Sequence, residues 1–549
     1  MNSSTLLEFF GHVLFSFTRS VTDHCNPEEP EYTAESFGYN PLESTGREWY
    51  SRPVDEFIYQ EYSDRELRTS FNYMATSSLN INVRDACSLE EPENDEAARK
   101  EEELRDAALA WKRLRPSVCR TIWKSMYIGA FISLVAATIV GAVCTVVFYV
   151  SFMTINICQF YPKKLIPVRL QWMRTISCSI AYASFHIWFF TNALFLFRSY
   201  QLKGVRQKLF LPCCVAYSLD VAYRVILQAL GMSNYSKLSS LQKIPLNVNF
   251  FISVGVQAYV LTKLFCRLPS KKRKVNLFLQ INLPGCLTVF AGIVIARCIY
   301  PWYNKQDKDG KLLIAVFAPL IGVFLKPFSR ICAQQLYNVA HPGYAYVLLT
   351  PLYCGTAVMF RIMQADLGSL QSIATLGIIH GLAEVIERSS MVIIDHFLNW
   401  LWKLRTPAPW GSFRTPRRER LMADIAIMSM QYESAAIVSV NGLLFFYQLT
   451  YFDKNSFLTS LQSFGINTSV PLIIEWFFNS VSLAIETRCQ NMAVMAVWAR
   501  QWKKHLLVAV FNSALIALWT STNLLEVVYQ NEQLSDQVNL NQTCKMPFT

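Results

Sequence analysis

The sequence has few charged residues and none of the residue patterns typical of metal, nucleotide or hydrolase sites. Only 16% of its 549 residues are charged, whereas soluble domains carry about 25%. Its 15 cysteines show no metal-ligand spacing. There is no His-Glu-x-x-His pair, no Gly-x-Ser-x-Gly elbow and no glycine-rich phosphate loop. The sequence therefore predicts neither a metal nor a cofactor, and an enzyme is not the first expectation.

What the sequence does have is apolar residues, at 52%, and an uneven distribution of charge. Residues 1–119 hold 23 of the 39 acidic and 12 of the 51 basic residues, so the rest of the chain has a net charge of +23. Basic residues beside apolar runs suit the anionic headgroups of a lipid bilayer. No basic strand surface interleaved with aromatic residues is present, so no nucleic-acid partner is expected.

Long apolar segments predict an all-α fold, a polytopic integral membrane bundle of about eleven transmembrane helices. A helix needs roughly 20 apolar residues to cross the hydrocarbon core. The segments that meet this need lie near residues 126–150, 176–197, 209–231, 246–266, 277–300, 312–332, 343–363, 371–398, 425–450, 469–487 and 505–525.

The charge distribution predicts three regions. Residues 1–119 form an acidic cytosolic arm, which is disordered at first and then a polar helix over about 88–116. Residues 120–530 form the transmembrane domain. Residues 531–549 form a short tail on the other side of the membrane.

Basic loops set the predicted orientation, because cytosolic loops carry an excess of Lys and Arg. Such clusters follow the fourth, eighth and tenth predicted spans, which places the N-terminus in the cytosol and the C-terminus outside it. The N-glycosylation sequons at Asn234, Asn467 and Asn541 all fall on the non-cytosolic side, which predicts a glycoprotein. A sequon at Asn2 and the bases near Lys163 disagree. The sequence thus predicts an integral membrane protein, located in the plasma membrane or an endomembrane.

A stripe of small residues in the first span predicts close contact with another helix. Gly129, Ser133, Ala137 and Gly141 are four residues apart, and small side chains let helix backbones approach closely. The partner is either another helix of this chain or a second subunit.

Ionisable residues inside the predicted spans are the candidate functional residues. A charge at the bilayer centre costs about 2.5–3.5 kcal/mol on insertion scales, so it should face a partner or a polar cavity. Asp220 and Arg224 are four residues apart and predict a structural pair. The remaining candidates are His380, Glu384, Arg388, Glu433 and Glu475.

Three consecutive spans each carry one of these carboxylates, with Arg388 as the obvious compensating base. Unpaired carboxylates in a membrane must be protonated, cation-bound or in contact with water, which is the chemistry of proton and cation coupling. The first hypothesis is therefore a transporter or channel-like protein for a small ion or polar solute, in which Glu384, Glu433 and Glu475 bind protons or cations.

Two alternatives remain open at this stage. One is a membrane-embedded enzyme acting on lipid, with His380, Glu384, Asp395 and His396 as its site. The other is a non-catalytic receptor or scaffold whose acidic arm recruits partners.

Overall fold

The computed structural model describes residues 118–156, 158, 161, 163–197, 201–232, 240–266, 271–336, 339–340, 342–403, 416–451, 457–489, 492 and 494–531. The predicted acidic arm with its polar helix, the C-terminal tail, and the sequons at Asn2, Asn234 and Asn541 lie outside these residues. Within the described ranges the chain is helical and contains no strand.

Eleven helical segments follow one another along the described chain. They are α1 (Val118–Asn156), α2 (Val168–Leu196), α3 (Arg206–Ala229), α4 (Ser240–Phe265), α5 (Lys271–Tyr303), α6 (Lys308–Gln335), α7 (Thr350–Asp366), α8 (Leu370–Lys403), α9 (Pro416–Tyr451), α10 (Phe457–Cys489) and α11 (Val494–Asn531). A 3-10 segment, Pro342–Leu348, precedes α7.

Eight of these helices are long and apolar enough to cross a membrane: α1 to α6, α10 and α11. The all-helical fold is confirmed for the described residues, and these eight helices fit the predicted integral membrane protein. Helices α7, α8 and α9 lie at the remaining predicted spans but fall short of that criterion. Helix α7 has only 17 residues, and α8 and α9 carry the intramembrane charges. Eleven spans therefore stays a prediction.

Helix α9 runs through the centre of the bundle. Residues 421–437 are buried on every face, because α1, α7, α10 and α11 all pack around them. Helix α7 is nearly as enclosed: 15 of its 17 residues are buried. The main hydrophobic core forms around these two helices.

Apolar residues on the outer helices point away from the protein. Trp123 is 74% exposed, Leu241 77% and Phe324 69%. Large apolar side chains with this exposure suit contact with lipid, where no hydrophobic effect drives them inward. Charged residues at the centre and apolar residues outside therefore reverse the usual soluble pattern.

The small-residue stripe of α1 packs against other helices of the same chain. A Cβ added at Gly129 would lie 3.0 Å from Oγ of Ser480 in α10, and one at Gly141 would lie 2.9 Å from Cβ of Val438 in α9. Ser133 and Ala137 are each 6% exposed. In the described structure the close contact is thus internal.

The prolines inside the predicted spans affect their helices in different ways. Pro319 separates the two halves of α6: the first half ends at Phe317, and the second begins at Leu320. Pro284 lies inside α5, which continues through it, and Pro351 lies in the first turn of α7, where a missing N–H costs little.

Candidate functional site

Four adjacent helices bring the predicted carboxylates together at the centre of the bundle. We call the following side chains the central charge network. They are Arg361 of α7, His380, Glu384 and Arg388 of α8, Glu433 of α9, and Glu475 and Glu486 of α10. The side chain of His380 is 14% exposed and that of Glu433 is 10% exposed, whereas the side chains of the other members are at most 8% exposed.

Helical spacing explains why these side chains face one another. His380, Glu384 and Arg388 are four residues apart and so lie on one face of α8. Glu475, Asn479 and Glu486 lie along one face of α10 in the same way, at intervals of four and seven. The remaining members come from α7 and α9, the two most enclosed helices.

Arg361 joins two of the predicted carboxylates. Its Nη2 donates to Oε2 of Glu433 at 2.8 Å and to Oε2 of Glu475 at 2.6 Å, while Nε donates to Oε2 of Glu433 at 3.1 Å. Nη1 donates to Oε1 of Gln364 at 2.8 Å. One guanidinium therefore holds α7, α9 and α10 together.

The expectation that Arg388 is the only obvious compensating base was wrong. Charges in the seventh predicted span were overlooked, although a lone arginine in an apolar run is itself a signal. Arg361 stands in such a run, with Phe360 and Ile362 beside it.

Arg388 chiefly pairs with a carboxylate on another helix. Its Nε and Nη2 each donate to Glu486 at 2.7 Å, in a bidentate arrangement, and Nη1 donates to Oδ1 of Asn479 at 2.8 Å. Glu384, the expected neighbour one turn away, is 3.8 Å from Nη1. Glu384 accepts a hydrogen bond from Ser429 at 2.7 Å instead.

His380 lies at the edge of the network, beside Glu433. Its Nε2 is 3.4 Å from Oε1 of Glu433. The ring stacks on Phe360, with 3.9 Å between the ring centroids. His380 is the most exposed member of the network.

Carboxylates outnumber the guanidinium groups in this network. Glu384, Glu433, Glu475 and Glu486 are four acids, and Arg361 and Arg388 are two permanent cations. Glu433 and Glu475 share one nitrogen of Arg361, whereas Glu384 lies 3.8 Å from the nearest nitrogen of Arg388.

A second set of ion pairs joins α6 to α8. Arg330 binds Asp395 in a bidentate arrangement, with Nη2 at 2.7 Å and Nε at 3.0 Å from Oδ1. Gln334 donates to the other carboxylate oxygen at 3.0 Å. Lys326 pairs with Glu387 at 3.0 Å. Arg330 and Asp395 are almost fully buried, at 1% and 0% side-chain exposure.

This arrangement bears on the proposed lipid-enzyme site. A carboxylate fixed in a buried bidentate pair is poorly placed to act as a general base, since its lone pairs already accept hydrogen bonds. The side chain of His396 lies outside the described residues. Among the described residues, no group of three or more His, Cys, Asp or Glu could hold a metal ion.

A third buried group links α9 to α11. Oδ1 of Asp424 lies 2.9 Å from Nε2 of His505, and Oδ2 accepts from Nε of Arg420 at 3.2 Å. The His505 ring stacks on Tyr346 at 4.3 Å. Asp424, like Arg388, uses partners from more than one helix.

The predicted structural pair lies in the outer helices. Nε of Arg224 donates to Oδ1 of Asp220 at 3.1 Å, on one face of α3. The guanidinium carbon also lies 3.9 Å from the centre of the Tyr182 ring, and Nε2 of His186 is 3.5 Å from Asp220. The pair is thus embedded between α2 and α3, apart from the central charge network.

The remaining described sequon lies within a helix. Asn467 is in α10, which begins at Phe457, whereas the predicted span begins at residue 469. Its carbonyl accepts a hydrogen bond from Asn441 at 3.0 Å, and the sequon serine, Ser469, is exposed. Glycosylation normally uses exposed loops, so its use at Asn467 stays a prediction.

Comparison with protein-family models, with curated proteins and with solved structures finds no match. The geometry of the buried charges is therefore the basis for any statement about function.

Proposed function

We propose that this chain is a membrane transporter or channel-like protein that moves a small ion or polar solute, coupled to protons or cations bound by the central charge network. Glu384, Glu433 and Glu475 hold the coupled ion. His380 exchanges protons with Glu433, and Arg361 and Arg388 are the fixed counter-charges.

The observation that supports this proposal is the excess of carboxylates in the network. Four buried acids face two guanidinium groups: Glu433 and Glu475 share Arg361, and Glu384 lies 3.8 Å from Arg388, which pairs with Glu486. An unpaired charge in the bilayer is costly, so the excess must be neutralised by bound protons or cations. A network used only for packing needs no such excess.

The positions of the protons follow from the contacts. Glu433 and Glu486 each accept two hydrogen bonds from an arginine, whereas Glu475 accepts one and Glu384 lies 3.8 Å from Arg388. Glu384 and Glu475 are therefore the carboxylates that most need a bound proton or small cation. Loss of that proton or cation leaves Arg361 shared between two charged carboxylates, Glu433 and Glu475, which favours a new arrangement of α7, α9 and α10.

Proton flux in liposomes tests the proposal directly. Purified protein is reconstituted with an internal pH-sensitive dye, and flux is driven by a pH gradient with added monovalent cations. Wild type should carry flux, and Glu475→Gln and Glu433→Gln should each reduce it to the rate of protein-free vesicles, because an amide keeps the shape but cannot bind a proton.

A matched control distinguishes coupling from general damage. Asp220→Asn removes a buried carboxylate from the outer helices and should leave flux unchanged. Size-exclusion profiles and melting temperatures report folding for every variant. Wild-type flux in a protein carrying Gln at 384, 433 and 475 would contradict the proposal, as would the absence of flux in wild type with every cation tried.

A further inference from the structure

The start of α5 concentrates positive charge on the protein surface. Its first four residues are Lys271, Lys272, Arg273 and Lys274, and no acidic residue lies in the first turn. Lys271, Lys272 and Arg273 are exposed. Together with Val275 and Leu279 they form one open surface of α5, which we call the basic groove.

This placement is electrostatically unfavourable without an anion. A helix N-terminus carries about half a unit of positive charge, so cations there are destabilising and anions are stabilising. The backbone N–H groups at the start of a helix also favour an anionic ligand in general. An anion in the groove would compensate both the helix dipole and the basic side chains.

A separate apolar cavity lies further along the same helix. It has a volume of about 210 Å³ and is formed by α2, α4 and α5, with lining residues that include Trp188, Phe250, Val254, Gly255 and Gly285. An apolar cavity of about 150 Å³ already accepts a benzene-sized ligand. This cavity is thus large enough for a segment of hydrocarbon chain.

Two glycines keep the cavity open. A Cβ added at Gly255 would meet no atom within 4 Å, and one at Gly285 would meet only the Trp188 ring, at 3.4 Å. Both glycines lie in the middle of helices that are long and apolar enough to cross a membrane. The cavity is therefore expected near the middle of the bilayer.

One stripe of α5 connects the groove to the cavity. Leu279 lines the groove, and Asn282 and Cys286 line the cavity; they are three and four residues apart and so share a face. The rise of an α-helix places Gly285 about 20 Å from Lys272. The hydrocarbon half of a bilayer is about 15 Å thick, so an acyl chain that starts at the surface reaches the cavity.

We propose that α5 and its neighbours bind one anionic phospholipid, with its headgroup on Lys271, Lys272 and Arg273 and an acyl chain in the cavity at Gly255 and Gly285. The basic groove selects the headgroup charge, and the cavity holds the tail. The site is independent of the central charge network.

Photoreactive lipids test this proposal. Full-length protein is reconstituted in nanodiscs containing phosphatidylserine or phosphatidylcholine that carries a diazirine in the middle of one acyl chain, and labelled residues are mapped by mass spectrometry. The phosphatidylserine probe should label the cavity-lining parts of α2, α4 and α5 more strongly than the phosphatidylcholine probe. Each base replaced with Gln should weaken binding of the phosphatidylserine probe about fivefold. Replacing Lys271, Lys272 and Arg273 together should therefore abolish the preference for phosphatidylserine.

Cavity variants test the tail separately. Gly255→Phe fills the cavity and should remove labelling there, whereas Ile252→Phe, on an outward side chain that is 60% exposed, should not. Gly255→Ala, which meets no neighbour, checks that folding tolerates a side chain at this position. A matched triple change to Gln at Lys203, Arg206 and Lys208, near the start of α3, should leave the headgroup preference unchanged.

Three results would overturn the proposal. One is equal labelling of the cavity by the two lipids, and another is unchanged labelling in Gly255→Phe. The third is displacement of the phosphatidylserine preference by inorganic phosphate at millimolar concentration, which would make the basic groove a soluble-anion site rather than a lipid site.

Discussion

Arg361 carries the largest share of the charge pairing at the centre of the protein. Removing one partner of a buried ion pair leaves an uncompensated charge, which typically costs about 3–5 kcal/mol. Arg361 serves both Glu433 and Glu475, at 2.8 and 2.6 Å, so its loss exposes two carboxylates to each other at once.

We expect Arg361→Met to lower the free energy of unfolding by about 3–5 kcal/mol. Adding Glu433→Gln and Glu475→Gln should restore most of that loss, because the triple variant has no unpaired charge at this position. Denaturant unfolding of detergent-solubilised protein measures both changes. A single Arg361→Met variant as stable as wild type would mean that the carboxylates are already neutral.

At this scale the sequence predicted which carboxylates are buried but not how they pair. Glu384, Glu433 and Glu475 stand out because charge is rare in apolar runs. The bidentate contact of Arg388 with Glu486 was missed, because spacing by four reports only neighbours on the same helix. Contacts between α8 and α10 depend on how helices pack, which one sequence does not specify.

Helix α1 shows how helices associate through close packing where no hydrophobic effect drives them together. In lipid, close packing of small residues replaces burial of apolar surface as the source of helix association. Gly129 lies against Ser480, Gly141 lies against Val438, and Gly442 of α9 lies against Thr145. These contacts fix α1 on the two helices that carry Glu433 and Glu475.

We expect Gly129→Leu and Gly141→Leu each to destabilise the protein by about 1–3 kcal/mol, since overpacking forces neighbouring helices apart. The matched control is Gly465→Leu in α10, where an added Cβ meets nothing within 4 Å. Melting temperature and recovery of folded protein from membranes measure the effect. Helix propensity favours leucine over glycine at all three positions, so an equal loss in the Gly465 variant would show that packing at the stripe is not the cause.

The helices themselves were largely predictable, and their ends were not. Hydropathy located a segment at 469–487, whereas α10 runs over Phe457–Cys489; the apolar window detects only the middle of a helix that extends beyond the hydrocarbon. Helices α7 to α9 lie at the apolar segments predicted near 343–363, 371–398 and 425–450. Their mean hydropathy is reduced by the charges that they enclose.

Across the described bundle, the polar helix α9 is enclosed by its neighbours, whereas α8 is covered on one side and exposes Leu382 and Ile386 on the other. Helices α8 and α9 have 34 and 36 residues, or about 51 and 54 Å at 1.5 Å per residue, which exceeds the bilayer. Their charges are tolerated because α1, α10 and α11 separate α9 from lipid and the charges pair internally. Low hydropathy is thus compatible with crossing the membrane here.

The count of spans depends chiefly on α7. Its 17 residues extend about 26 Å, slightly less than the hydrocarbon core of about 30 Å, and the 3-10 segment Pro342–Leu348 before it adds the missing length. If α7 crosses with that segment, the chain has an odd number of spans and its two ends lie on opposite sides of the membrane.

We therefore expect an N-terminal tag to be accessible from the cytosol and a C-terminal tag only from the other side. Protease protection of sealed microsomes, with and without detergent, measures this for doubly tagged protein. A third tag in the segment between α8 and α9 should behave like the N-terminal one, because an even number of spans precedes it. Two terminal tags on the same side would show that one segment does not cross, and the position of the third tag would assign the missing crossing to α1–α8 or to α9–α11.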